Sequence, residues 1–195
     1  MFRRMAVVVA CGILVGSMVA SPAEARKKKV ETNRLVDSDE YKDDDFEKGI
    51  IEDYEDLVEG DGVEWVYVAP GTKLSSHKIK IGKFKNMSEV SSRKMVESLE
   101  EGFDEAFDRA GFKGGSGTLT TTNAVYWAER ASEGKRWIPY AGGHLAQAGV
   151  GVEMIFKDSS GKVVAKIRHS ARQGESPEDA AEELVDELAN FIAEH

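Results

Sequence analysis

The chain has 195 residues, 35 acidic against 26 basic side chains, a formal net charge of -9 and one cysteine. That balance argues against a nucleic-acid partner, because neutralising phosphates needs a basic surface. A single cysteine excludes a disulfide framework and a cysteine-built metal site.

The N-terminus reads "MFRRMAVVVACGILVGSMVASPAEARKKK". Arg3 and Arg4 precede an apolar run from Met5 to Ala20, and Ala23-Glu24-Ala25 has the small-x-small pattern of a cleavage site. This predicts a secretory signal peptide over 1–25 and a periplasmic destination. The run is shorter than the roughly 20 apolar residues of a spanning helix, so no transmembrane segment is expected once the signal is cleaved. Val8-Val9-Ala10-Cys11 resembles a lipobox and offers outer-membrane lipoprotein attachment through Cys11 as the alternative. Cleavage at Ala25 would discard Cys11 and leave a net charge of about -10.

Residues 26–62 pass from Arg26–Lys29 into "DSDEYKDDDFEKGIIEDYEDLVEGDG". Such a charge-rich stretch buries too little surface to offset its ordering entropy, so an acidic, largely disordered linker is expected. A short helix over Ile50 to Val58 is the one element it could carry. The clustered aspartates lack the alternating oxygens, central glycine and final glutamate of a calcium loop, so no metal is expected.

A single domain is expected over 63–195. "VEWVYVAP" alternates Val66 and Val68 against Trp65 and Tyr67, and Pro70 stops the strand. "HKIKIGKF" is a second strand, with a bulge at Gly82. Met95, Leu99, Phe103, Ala106 and Phe107 recur at helical spacing, and Gly111 supplies the C-terminal stop. Thr118 to Ala128 is a third strand with Leu119, Val125 and Trp127 in one phase. Val150, Val152, Met154 and Phe156 alternate, "DSSG" turns, and Val163, Ala165 and Ile167 return as an antiparallel hairpin. Ser176-Pro177-Glu178-Asp179 then opens a last helix with an N-cap and acids at its positive pole. The order β-β-α-β-β-β-α predicts an α+β domain: one mixed, mainly antiparallel sheet of about five strands, with two helices on one face.

No catalytic constellation emerges. Gly161-Lys162 is followed by Val163 and so is no Walker loop, and Gly149-Val150-Gly151 reaches Met154 where a dinucleotide motif needs glycine. Ser91-x-x-Lys94 has no companion Ser-Asp-Asn or Lys-Thr-Gly motif. His77, His144, His169 and His195 show no metal-ligand spacing. No catalytic residue, cofactor or metal is therefore assigned. The competing reading is a periplasmic hydrolase built on Ser116 or His144.

Two stretches suit binding. Lys78, Lys80, Lys83 and Lys85, with Lys73 before them, line the second strand of an acidic protein. Lysines protect an open sheet edge, and they could equally dock an anionic polymer or the protein's own acidic segment. In "KRWIPY", Arg136, Trp137, Ile138 and Tyr140 surround Pro139, and aromatics with arginine are the residue types that dominate interface energies.

Roughly residues 63–195, with the motifs in Gly117 to Ile167 and the opening passage "YVAPGTKLSSHKIKIGKFKN", resemble a group of bacterial cell-envelope proteins of unknown function, themselves similar to the TolB N-terminal domain and to CsgG-type lipoproteins. The resemblance rests on Gly134 and Arg136, then Gly142, Gly143, Gly149 and Gly151, then Asp158, Gly161 and Lys162. It implies an assembly or binding role at the envelope and no catalytic residues. The expected function is a non-enzymatic exported domain that binds an envelope protein or polymer, for instance as an accessory subunit of a transport or secretion system.

Overall fold

A computed structural model describes residues 47–112, 117–132 and 146–195. The fold is α+β. In chain order it comprises β1 (Val58–Glu59), β2 (Trp65–Val68), a 3-10 turn (Leu74–Ser76), β3 (Lys78–Lys80), β4 (Phe84–Asn86), α1 (Arg93–Arg109), β5 (Thr118–Glu129), β6 (Gly149–Lys157), β7 (Val163–Arg172) and α2 (Pro177–Glu194). The sheet runs β1-β2-β7-β6-β5-β3, with β4 also pairing to β5. The strands from β1 to β5 along this path are antiparallel, whereas β3 and β4 run parallel to β5. Parallel pairing follows from the route, because β4, α1 and β5 form a crossover unit.

Among the described residues seven strands stand where about five were expected. The second predicted strand is broken in two at Gly82, and Val58–Glu59 adds a short one. The break has a steric cause. Gly82 lies so close to β5 that a Cβ there would collide with the Thr121 carbonyl oxygen. Thr121 Oγ1 accepts from the Gly82 amide (3.0 Å), and Asn123 Nδ2 donates to its carbonyl (2.7 Å). Side chains of β5 thus replace the ladder bonds that the kink removes.

Both helices pack on one face. Met95, Leu99, Phe103, Ala106 and Phe107 of α1 and Leu184, Val185, Leu188 and Ile192 of α2 are buried against Leu119, Val125, Val150, Val152, Met154, Phe156, Ala165 and Ile167. Ser92 caps α1 through the Met95 amide, and Ser176 with Asp179 forms a capping box on α2. Ser92 also donates to Glu178 (2.6 Å), which joins the two N-termini and holds the Glu178 carboxyl below its ordinary pKa. The helices therefore run in the same direction, and Gly102 lets the Val185 side chain approach α1 closely.

The opposite face departs from expectation. The acidic linker was expected to extend to residue 62 and to order at most as a short helix. Instead residues 47–57 form an irregular strap across the sheet, with a turn at Glu55–Asp56, burying Ile51, Tyr54 and Leu57 against Trp65, Tyr67 and Ile155. Composition alone is a poor guide here, because a few apolar or aromatic side chains suffice once a complementary surface is present. Residues 1–46, which contain the predicted signal, Cys11 and the rest of the acidic stretch, lie outside the described residues.

The phase expected for β5 also changes. Its register against β6 shifts between Val125 and Trp127, a bulge that inserts one residue and reverses the side-chain alternation. Leu119 and Val125 keep to the helix face, while Tyr126 and Trp127 both join the strap face.

Candidate functional site

The strap is fastened by a buried carboxylate. Glu153 on β6 is fully buried and points away from the helices, because its neighbours Val152 and Met154 fill the helix-side core. Its Oε2 accepts from the amides of Ile50 (2.6 Å) and Ile51 (2.8 Å). Its Oε1 accepts from the Tyr54 hydroxyl (2.8 Å) and from Arg168 Nη1 (2.5 Å). Every oxygen is thus doubly engaged, which is what lets a charge pair persist out of water. The Arg168 guanidinium lies 3.5 Å from the Tyr126 ring centroid, adding a cation–π contact in a desolvated setting. Further along, Lys166 Nζ donates to the Asp53 carbonyl (2.9 Å) and lies above the Tyr67 ring.

The glycines of β6 acquire a definite role. A Cβ at Gly151 would lie 2.5 Å from Tyr126, and one at Gly149 would collide with the Trp127 ring. They make room for two rings on a strand face. Neither belongs to a phosphate loop. Arg172 covers the Trp127 ring at 4.5 Å and donates to Glu129 (2.9 Å).

Burial raises both Tyr54 and Tyr126 well above the ordinary tyrosine pKa of 10.0, and the neighbouring Glu153 charge adds to the shift at Tyr54. A tyrosine whose folded pKa is raised contributes stability that is complete below its unfolded value and is lost as pH rises towards the folded value. Stability is expected to hold up to about pH 10 and then to fall. A tyrosinate absorbance titration followed alongside circular dichroism checks this. Ionisation of both tyrosines near pH 10 with the fold intact would contradict it.

Where the strap begins, a groove of about 420 Å³ opens between Glu47, Met87, Glu89, Tyr126, Trp127 and Glu129. Met87 is the exposed large hydrophobic side chain among the described residues. Burial raises the Glu47 pKa first, with Glu89 and Glu129 adding to it and Arg168 opposing. The groove sits at the end of the sheet from which the β5–β6 connection departs, since β5 ends at Glu129 and β6 starts at Gly149.

Arg136, Trp137, Ile138 and Tyr140 belong to that connection and lie outside the described residues, as do Ser116 and His144. Lys78, Lys80 and Lys85 are exposed on β3 and β4, and Lys83 lies in the break between them. The edge position expected of them is where they are found, since among the described residues β3 and β4 pair only with β5. His169 accepts from the Glu64 amide at Nδ1 (3.2 Å), so its Nε2 donates to Glu187 (2.7 Å). Both ring nitrogens are thus occupied in tying β7 to the approach of β2 and to α2. No group of three or more potential metal ligands occurs among the described residues, and no helix among them is long and apolar enough to cross a membrane.

Sequence reasoning missed the Glu153–Arg168 pair and the strap it holds. The signal was the row Trp65, Tyr67 and Ile155 on what alternation marked as the solvent face, together with Ile51, Tyr54 and Leu57 upstream.

No protein-family profile matches the chain, and no curated protein sequence matches it. Among solved structures, a PelC dodecamer carrying a point substitution, from Paraburkholderia phytofirmans, is similar with a TM-score of 0.42 and 14% identity, covering 66% of this chain and 89% of that one. A second PelC dodecamer structure from the same organism gives a TM-score of 0.35 at 12% identity over 66% of this chain and 90% of that one. A candidate lipoprotein from Caulobacter crescentus CB15 gives 0.33 at 15% identity over 63% and 90%.

Proposed function

We propose that the chain is an exported, non-enzymatic domain of the cell envelope that captures a protein or polymer partner at the β5–β6 end of its sheet. Soluble accessory service to a transport or secretion machine is the specific form of the reading. The observation that carries it is the groove beside Met87, Tyr126 and Trp127, open at the end of the sheet from which the aromatic connection with Arg136, Trp137, Ile138 and Tyr140 departs. The groove is mostly polar, with Glu47, Glu89 and Glu129 around the exposed Met87, and a polar rim of this kind surrounds the contact residues of many interfaces. A strand pair is a suitable base for a recognition loop.

Trp137→Asp and Tyr140→Asp should each lower partner capture by about tenfold or more, the size expected of an interface anchor, with thermal unfolding unchanged. Ser116→Ala and His144→Ala should leave capture and phenotype intact. Loss of phenotype in either alanine variant, with capture retained in the aspartate variants, would reverse the reading in favour of a hydrolase.

A further inference from the structure

Among the described residues, the strap covers only part of its face. It spans the β2, β7 and β6 region, where Tyr54, Ile51 and Leu57 meet Trp65, Tyr67 and Ile155. The adjoining part of the same face, over β5, β4 and β3, is polar. Thr118, Thr120 and Thr122 alternate with buried Leu119, Thr121 and Asn123 and are exposed. Lys78 and Lys80 flank Ile79, and Lys85 follows Phe84; both apolar residues are buried on the helix side. Alternation therefore turns these lysines to the strap face, and Lys83 stands at the break. Glu100 and Asp104 belong to α1 on the other side, and Asp104 reaches the sheet edge, where it lines a groove with Lys78, Lys80 and Thr118. Glu100 caps the Phe84 amide there at 3.0 Å.

The chain enters this region from the correct direction. Running backwards from Ile51, the strap passes Glu153 on β6, then Tyr126 on β5 at Gly49, and reaches the groove shared with Met87, Ser88 and Glu89 at Glu47. Each step moves towards β4. The residues next upstream are "DSDEYKDDD" (37–45), with six acids and one lysine. From position 47 back to position 39 an extended chain reaches roughly 26 Å, and from Tyr126 to Thr120 along β5 is roughly 20 Å at about 3.3 Å per residue.

We propose that residues 37–45 lie along this lysine–threonine shelf, so that the acidic segment is the second half of the strap and covers the rest of the face. The contact is made by side-chain charges. It does not continue the backbone ladder at β4, because the Phe84 amide is already taken by Glu100. The segment also shields the β3–β4 edge from pairing with other chains. This inference is independent of the partner assigned to the β5–β6 end.

The test uses the chain from residue 26 onward, which contains no cysteine, with paired substitutions Asp39→Cys and Thr120→Cys. The comparison pair is Asp39→Cys with Asp104→Cys, which places the second thiol on the helix side of the same edge. At about 50 mM salt the 39–120 disulfide should form within one chain about tenfold faster than 39–104, and at about 1 M the two rates should converge. Lys78, Lys80, Lys83 and Lys85→Gln together should abolish the difference. Equal rates at low salt, a preference that survives high salt, or crosslinks only between chains would each overturn the proposal. Equal rates together with lysine-dependent retention on immobilised polyglutamate would overturn it in favour of an external anionic polymer as the occupant.

Discussion

Glu153→Ala is expected to destabilise the domain by about 3–5 kcal/mol, the cost of breaking a buried ion pair by removing one partner. The substitution leaves Arg168 buried without its carboxylate and removes the acceptor of two strap amides and the Tyr54 hydroxyl. Its second consequence is local. Cleavage by a protease within 47–57 should become faster than cleavage within the sheet, because the strap loses its anchor while the helix-side core is untouched. Chemical denaturation followed by limited proteolysis checks both parts. Removing Arg168 as well, with Glu153→Leu and Arg168→Leu together, should recover part of the loss, since apolar pairs can replace buried ion pairs at little net cost. A Glu153→Ala variant within about 0.5 kcal/mol of the parent, the range of ordinary surface substitutions, would mean that the strap is not held by this carboxylate.

Gly151→Val should cost about 3 kcal/mol, at the upper end of overpacking effects. The added side chain begins 2.5 Å from the Tyr126 ring, and that ring cannot retreat because Arg168 lies against its face. Relief should come from the ring itself. Combining Gly151→Val with Tyr126→Ala should give a loss smaller than the two single losses added, a coupling that denaturation curves on the four proteins would measure. Strict additivity would indicate that the strand moves and the ring does not.

The helix-side layer was legible because each of its elements carried its own local signal. The period-two alternation of Val150 to Phe156 and of Val163 to Ile167, the 3-4 spacing from Met95 to Phe107, and the Ser176-Pro177 start each depend on near neighbours in sequence. The second face was not legible for the complementary reason. Glu153 looks like any solvent-facing acid until Arg168, fifteen residues later, and Tyr54, ninety-nine residues earlier, are brought to it. The strap itself is acidic between its anchors, and only contact with Trp65, Tyr67 and Ile155 distinguishes it from a solvated linker. The bulge that turns Trp127 to this face is a register property of two paired strands, absent from either strand alone. Glycines 149 and 151 stand apart from these, since their spacing was visible and their purpose was not. They are strand residues kept small to accommodate two rings.

The candidate binding residues rest on composition alone and lie outside the described residues. Arg136, Trp137, Ile138 and Tyr140 were singled out as interface-forming residue types, and what the fold adds is the end of the sheet from which their connection springs. A photo-crosslinking residue placed at position 137 in the intact chain, activated in cells, tests the binding reading most directly, with the same residue at Lys162 in the β6–β7 turn at the opposite end of the sheet as its reference. The expected result is a discrete adduct from position 137 that is absent from position 162 and is lost on Tyr140→Asp. No adduct from 137, or the same products from both positions, would contradict the assignment of this end as a binding surface.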